Sequence, residues 1–315
     1  MRTLDIFCGG GGSSFGARQA GADIVCGIDF DEVATSIYSM NFPEAAVLTS
    51  RLEDVKPKSL HRSIGDIDLL LASPECTNHT CARGAAPRSE ASRATAMQVI
   101  RYAKEFRPQW VVMENVIHMR PWSRYAELKS SLEGLGYNVH ELVLDASDFG
   151  VAQSRRRLFV VCGLGVDSIT IRTPRRRKRK TVRDILDRPG TWKTSPLITN
   201  RRAKATLERA QRGIEALGDK ASFLIVYYGT DGSGGWQPLD RPLRTITTVD
   251  RFALVEPYAS GHEMRMLQVP ELARAMGFSK DYRLDLGTRR EKVRVLGNGV
   301  CPPVMADVVR SLNES

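Results

Sequence analysis

TLDIFCGGGGSSFG, residues 3–16, decides the architecture. A short β-type run passes straight into a glycine turn, and a helical stretch follows to Ala20. Glycines at 9, 11, 12 and 16 let the backbone turn at positive φ and approach a ligand closely. In doubly wound sheets, ligands bind at the carboxyl ends of the strands beside such a turn. No Lys-Ser/Thr pair closes the glycine run, which excludes a Walker-type phosphate loop. Outward from this segment the same alternation repeats. DIVCGID (23–29) precedes a helical stretch over 32–41, and DLLLAS (68–73) leads through a polar loop to another over 92–106. QWVVMEN (109–115) precedes a helix-like segment to Leu135, and RLFVVCGL (157–164) is a last apolar run. Strands alternating with helices predict an α/β fold with a parallel, doubly wound sheet covered on both faces.

Composition bounds the partners. The 315 residues are 42% hydrophobic and 26% charged, enough to bury a core and ordinary for a folded chain. No stretch approaches the ~20 apolar residues of a membrane span. Asp5 breaks the first hydrophobic run, so no secretory leader is expected. Six scattered cysteines without a CxxC pair speak against a disulfide framework or structural zinc, and for a reducing compartment. Lys and Arg number 46 against 36 Asp and Glu, a surplus of ten that favours a polyanionic partner, nucleic acid or an anionic membrane. Much of it lies in RTPRRRKRK (172–180), which reads either as a phosphate-binding stretch or as a solvated, targeting-like tract. From about 165 to 240 the chain is basic, rich in Pro and Gly and weakly periodic. The expected organisation is therefore a large domain over 1–165, a small basic region over 166–240, and a return to the large domain over 241–315.

Several strand ends carry reactive residue types. Asp29, about 20 residues beyond the first glycine, suits hydrogen bonding to ribose hydroxyls, so the first two strands together point to a nucleoside-bearing cofactor. Cys76 follows Ser73-Pro74-Glu75 and is either an activated loop thiol or an inert small hydrophobe. Glu114 ends a buried strand, where desolvation raises a carboxyl pKa; it is a proton donor near neutral pH or a cap for the next segment. Gln153, Arg155 and Arg157 share one face if a strand begins there, and would hold a base or a phosphate, or else form a solvated charge run.

Taken jointly, these segments resemble the DNA cytosine-5 methyltransferase family, in its usual motif order. Asp5-Ile6-Phe7-Cys8-Gly9-x-Gly11-Gly12 looks like the family's cofactor loop, and Tyr38-x-x-Asn41-Phe42-Pro43 fits the sequence beyond its ribose acid. Pro74-Glu75-Cys76 corresponds to the nucleophile loop, Glu114-Asn115-Val116 to Glu-Asn-Val, and Gln153-x-Arg155-x-Arg157 to Q-x-R-x-R. Arg241-Pro242-x-x-Thr245-x-Thr247, the Glu271/Arg274 helix and Gly297-Asn298-Gly299-Val300-x-Pro302 complete the series. Three departures stand out: Glu75 replaces a proline, Gly299 replaces a serine, and no acid after the third strand is assignable to an adenine amino contact.

The resemblance implies a Rossmann-like fold with a small inserted target recognition domain, short for the family. It implies S-adenosylmethionine as cofactor, no metal, and double-stranded DNA as partner. Phe7, Cys8, Gly9, Gly11, Gly12, Asp29, Pro74, Asn298 and Val300 would line the cofactor site. Cys76 would add to C6 of an extruded cytosine, Glu114 would bond N3 and the exocyclic amine, and Arg155 and Arg157 would hold the base carbonyl and the nucleophile loop, Arg157 being preferred for O2. Arg83 and Arg88 in the loop 77–88, and Arg175, Arg176, Arg177 and Lys178 together with Arg201, Arg202 and Lys204 in the insertion, would meet phosphates. His79 and Cys81 make a poor metal site, lacking further ligands at suitable spacing. A monomer is expected, cytoplasmic and nucleoid-associated, and the first motif at residue 5 gives it a compact prokaryotic or phage build. The rival readings are a tRNA cytosine-5 methyltransferase and a catalytically silent DNA-binding relative.

Overall fold

A computed structural model describes residues 1–75, 90, 94–166, 168–172, 179–228, 234–259 and 261–314. Seven strands form the main sheet: β1 (Arg2–Ile6), β2 (Asp23–Asp29), β3 (Ala46–Thr49), β4 (Leu69–Ala72), β5 (Trp110–Asn115), β6 (Tyr137–Asp145) and β7 (Arg156–Leu164). Their order is β3-β2-β1-β4-β5-β7-β6. β4 and β5 are buried at every position, which is why LLLA and WVVMEN read as continuous apolar runs rather than alternating ones. Successive side chains still point to opposite faces: Leu69, Leu71, Trp110 and Val112 join one core, while Leu70, Ala72, Val111 and Met113 join the other.

The five strands β1 to β5 pair parallel, as expected, but β7 runs antiparallel to both β5 and β6. β6 escapes a reading by hydrophobicity because it lies at the sheet edge and is half-buried along most of its length. The strand order reverses between β2 and β4 around β1, and that switch point opens a crevice at the carboxyl ends. Helices α1 (Gly12–Gln19), α2 (Glu32–Asn41), α3 (Pro57–Ile64), α4 (Gln98–Phe106) and α5 (Tyr125–Gly134) supply the connections.

A second sheet has the order β10-β9-β11-β12-β8, with β8 (Ser195–Pro196), β9 (Phe223–Val226), β10 (Trp236–Pro238), β11 (Phe252–Tyr258) and β12 (Gly261–Met266). Phe223 and Ile225 face α6 (Lys204–Leu217), where a Cβ on Gly213 would lie 2.4 Å from the Phe223 ring. Leu224 and Val226 face the main core together with Phe252 and Leu254. The sequence reading places 252–266 with the returning large domain; in the structure those residues pair within the second sheet, so a break at 240 cuts through it.

Beyond it the chain returns through α7 (Val269–Met276), α8 (Arg289–Asn298) and α9 (Pro302–Asn313). α9 lies along α1, and a Cβ on Gly16 would come 2.3 Å from the Pro302 carbonyl oxygen, so a glycine is required for this approach. That packing brings the last motif beside the first. No helix among the described residues is long and apolar enough to cross a membrane.

Candidate active site

A cavity of about 320 Å³ opens at the switch point. Phe7, Cys8, Gly9, Gly12, Asp29, Pro74, Glu114, Arg155, Arg157, Asn298 and Val300, all singled out from sequence, line it together. Gly11 is not in the wall; it caps α1 at φ 87°. Cys76, Arg83, Arg88, Arg175, Arg176, Arg177 and Lys178 lie outside the described residues, as do His79 and Cys81.

The glycine turn is built from backbone bonds. Phe7 sits at φ 60°, unusual for a side chain of its size, and Cys8 donates its N–H to the Ile28 carbonyl at 3.0 Å, tying the turn to β2. The Asp29 carboxylate then accepts the Gly9 N–H at 2.8 Å on one oxygen and the Asp31 N–H at 3.0 Å on the other. A carboxylate offers about four acceptor sites, and with the Phe30 N–H also bonded to it at least one remains for a hydroxyl donor. Burial raises the Asp29 pKa, partly offset by those same backbone N–H groups. A Cβ on Gly12 would fall 2.4 Å from the Val300 carbonyl oxygen, so only glycine lets the turn meet the last motif. Phe30, 58% exposed, adds a second aromatic to the wall. Two aromatic surfaces and a diol acceptor beside a side-chain-free turn fit a nucleoside-bearing cofactor. Phe30 carries a local signal, since it directly follows Asp29, but an isolated Phe is ordinarily core.

Glu114 stands at the other end. It is 6% exposed, and its Oε1 lies 3.3 Å from Arg157 Nε without hydrogen-bond geometry. Burial raises the Glu114 pKa, while Arg157 and then Arg155 lower it. Desolvation prevails, so the carboxyl keeps its proton to higher pH than an exposed glutamate. Asn115 donates from Nδ2 to the Pro74 carbonyl at 3.1 Å and thereby holds the strand end that runs into Cys76. Ser13 and Ser73 hydroxyls, 3.3 Å apart, tie that loop to the glycine turn.

Arg155 is spent differently. Its guanidinium donates to the carbonyls of Ile246, Gly297 and Gly299 at 2.9–3.0 Å and is buried. It braces the segment that presents Asn298 and Val300, rather than forming a solvated charge run. Gln153, ahead of the strand rather than on it, accepts the Ile246 N–H on Oε1 and donates from Nε2 to the Ala275 carbonyl. Gly299 has φ −69°, a conformation open to any residue, so the backbone does not explain the replaced serine. Arg202, read from sequence as a phosphate contact, instead donates to Ser195 Oγ and to the Pro196 and Leu197 carbonyls, bracing the second sheet. Lys204 remains 91% exposed. Of the basic tract, Arg172, Arg179 and Lys180 are described; Arg172 pairs with Glu314 and Arg179 with Asp148. Among the described residues no group of His, Cys, Asp and Glu is arranged to hold a metal ion.

Sheet order and cavity position define a Rossmann-like α/β protein whose site lies at the switch point. The chain belongs to the C-5 cytosine-specific DNA methylase family, whose model matches residues 1–314. Type II methyltransferase M.AgeI of Thalassovita gelatinovora is 32% identical over 167 residues, covering 51% of this chain and 39% of M.AgeI. The chain thus spans about two fifths of that relative's length. Type II methyltransferase M.HhaI of Haemophilus parahaemolyticus is 27% identical over 328 residues, covering 100% of this chain and 95% of M.HhaI. The S. pombe Dnmt2 methyltransferase superposes with a TM-score of 0.72 at 18% identity, covering 100% of this chain and 98% of that one, which shows a shared fold.

Proposed function

We propose that this chain methylates C5 of cytosine in double-stranded DNA, with S-adenosylmethionine as donor and S-adenosylhomocysteine as product. The observation that carries the reading is a buried Glu114 against Arg157 in the same cavity as Phe7, Asp29 and the glycine turn. The two relatives named above as type II methyltransferases support it, and the chain's surplus of ten positive charges suits a polyanionic substrate.

Cytosine C5 is a weak nucleophile. The Cys76 thiolate adds to C6, forming a C–S bond and pushing electron density to C5. Glu114 hydrogen-bonds N3 and the exocyclic amine, stabilising the charge that moves onto the ring. Arg157, anchored near Glu114, reaches the O2 carbonyl, and Arg155 holds the last motif in place. Asp29 would hold the ribose hydroxyls of the cofactor, and Phe7 and Phe30 would offer their rings to its base. S-adenosylmethionine supplies the methyl group when bound. Transfer of the C5 proton to solvent water then forms the C5–C6 double bond and breaks the C6–S bond, which releases the Cys76 thiolate and restores the aromatic ring. Because C6 is inaccessible in a stacked duplex, the base must be extruded into the cavity.

The test uses purified protein with tritiated methyl donor and either duplex DNA or tRNA. Label enters the duplex, and Cys76→Ala abolishes transfer while cofactor affinity stays within about twofold, since the thiol acts on the base. Label entering tRNA alone, or substantial turnover by Cys76→Ala, would overturn the proposal.

A further inference from the structure

We propose that Arg294 and Asp31 form a charged clasp on the rim of the cofactor cavity that sets how long the cofactor stays bound. The inference rests on the reading of that cavity as the S-adenosylmethionine site.

Asp31 caps α2. Its Oδ1 accepts the N–H groups of Val33 at 3.1 Å and Ala34 at 3.2 Å, which leaves Oδ2 free for a cation. Arg294 Nη2, on α8, lies 2.7 Å from that Oδ2. Both residues line the cavity, although they come from opposite ends of the chain. Each is also tied to the cofactor machinery. The Asp31 N–H donates to Asp29 Oδ1, the acid assigned to the ribose. Val295, the next residue after Arg294, lies against the glycine turn, since a Cβ on Gly10 would fall 2.5 Å from its Cγ1. Asn298 ends the same helix and lines the same cavity. The ion pair therefore joins the acid end of β2 to the helix on the other wall.

Its exposure suits a gate better than a structural rivet. The two side chains are 43% and 20% exposed, so each regains hydration when the pair separates. Exposed pairs contribute little and weaken with salt, so the clasp opens readily for entry and adds a modest barrier to exit. Arg294 acts through Asp31 and is a positioning residue.

The experiment measures release of S-adenosylmethionine and S-adenosylhomocysteine from the immobilised full chain, without DNA, by surface plasmon resonance. Arg294→Gln removes the charge. Asp31→Asn removes the partner's charge but keeps a side chain able to cap the helix. Both release the two ligands roughly two- to fivefold faster, as expected for a partly exposed pair. Arg294→Lys stays close to the unmodified protein. Raising salt to about 0.5 M speeds release from the unmodified protein and narrows the difference. Unchanged release rates in both charge-removing variants, even with a lowered melting temperature, would overturn the clasp and leave a purely structural pair. Failure of the unmodified chain to bind either ligand is a different result, which refutes the cofactor assignment and the clasp with it.

Discussion

Glu271→Ala should be among the most damaging single changes outside the cavity. Glu271 is fully buried on α7 and Arg265 is 6% exposed on β12, and the guanidinium meets both carboxylate oxygens at 2.8 Å. The same carboxylate accepts the Asp187 N–H at 3.0 Å and the Gln268 N–H at 2.7 Å, the latter closing the cap of α7. Truncation therefore strands a buried cation and two backbone donors. Removing one partner of a buried pair costs about 3–5 kcal/mol, and water entering the vacated space satisfies part of the lost backbone bonding. A total near ~4 kcal/mol is a large share of a typical stability of ~5–15 kcal/mol. Urea denaturation, followed by far-ultraviolet circular dichroism and by tryptophan fluorescence, measures it. Because much of the cost comes from stranding a charge rather than from losing an attraction, the double variant Arg265→Met/Glu271→Leu should recover the share due to the cation, while the Asp187 and Gln268 N–H groups stay without their acceptor. A loss below about 1 kcal/mol for Glu271→Ala would refute this reasoning, as would a double variant no better than the single.

Two further changes probe buried carboxyls. Arg157→Ala removes a cation that lowers the Glu114 pKa, so the descending limb of the pH–rate profile should move to higher pH, and turnover should fall roughly 10- to 100-fold through loss of the base contact; an unmoved limb would dissociate the two residues. Asp5 lies wholly buried beneath the glycine turn, its pKa pushed up to about 7 by burial despite a 2.6 Å hydrogen bond from Ser14. Its folded state holds a proton that the unfolded chain releases near pH 4, so stability falls as pH rises from about 4 to about 7 and levels off above, by no more than about 4 kcal/mol. Asp5→Asn should flatten that slope in thermal melts across this range, and an unchanged slope would assign it to other groups.

Much of the cavity was legible because each of its strand ends carries its own local signal: a glycine turn, an acid after an apolar strand, a glutamate after WVVM. What escaped depends on pairing across the chain. Strand direction leaves no local mark, so RLFVVCGL reads as a strand without revealing that β7 runs antiparallel. FALVEPY (252–258) alternates in burial between two cores and belongs to the second sheet only through its hydrogen bonds to β9 and β12. Arg155 and Arg202 read as charges seeking phosphates, whereas the carbonyls that consume them come from distant or irregular segments. The Arg294–Asp31 pair joins two unremarkable charges whose proximity follows only from α8 packing on the glycine turn.

In the proposed reaction the sulfur of residue 76 bonds to the ring of a cytosine taken out of duplex DNA. Intact-protein mass spectrometry after incubation with S-adenosylmethionine and a 5-fluorocytosine duplex tests it directly, because fluorine at C5 blocks the step that expels the cysteine. The protein should shift by the mass of the oligonucleotide plus one methyl group, and Cys76→Ala should show no shift. Absence of the adduct with the unmodified chain, on duplexes whose unmodified counterparts it methylates, would rule out a covalent Cys76 intermediate.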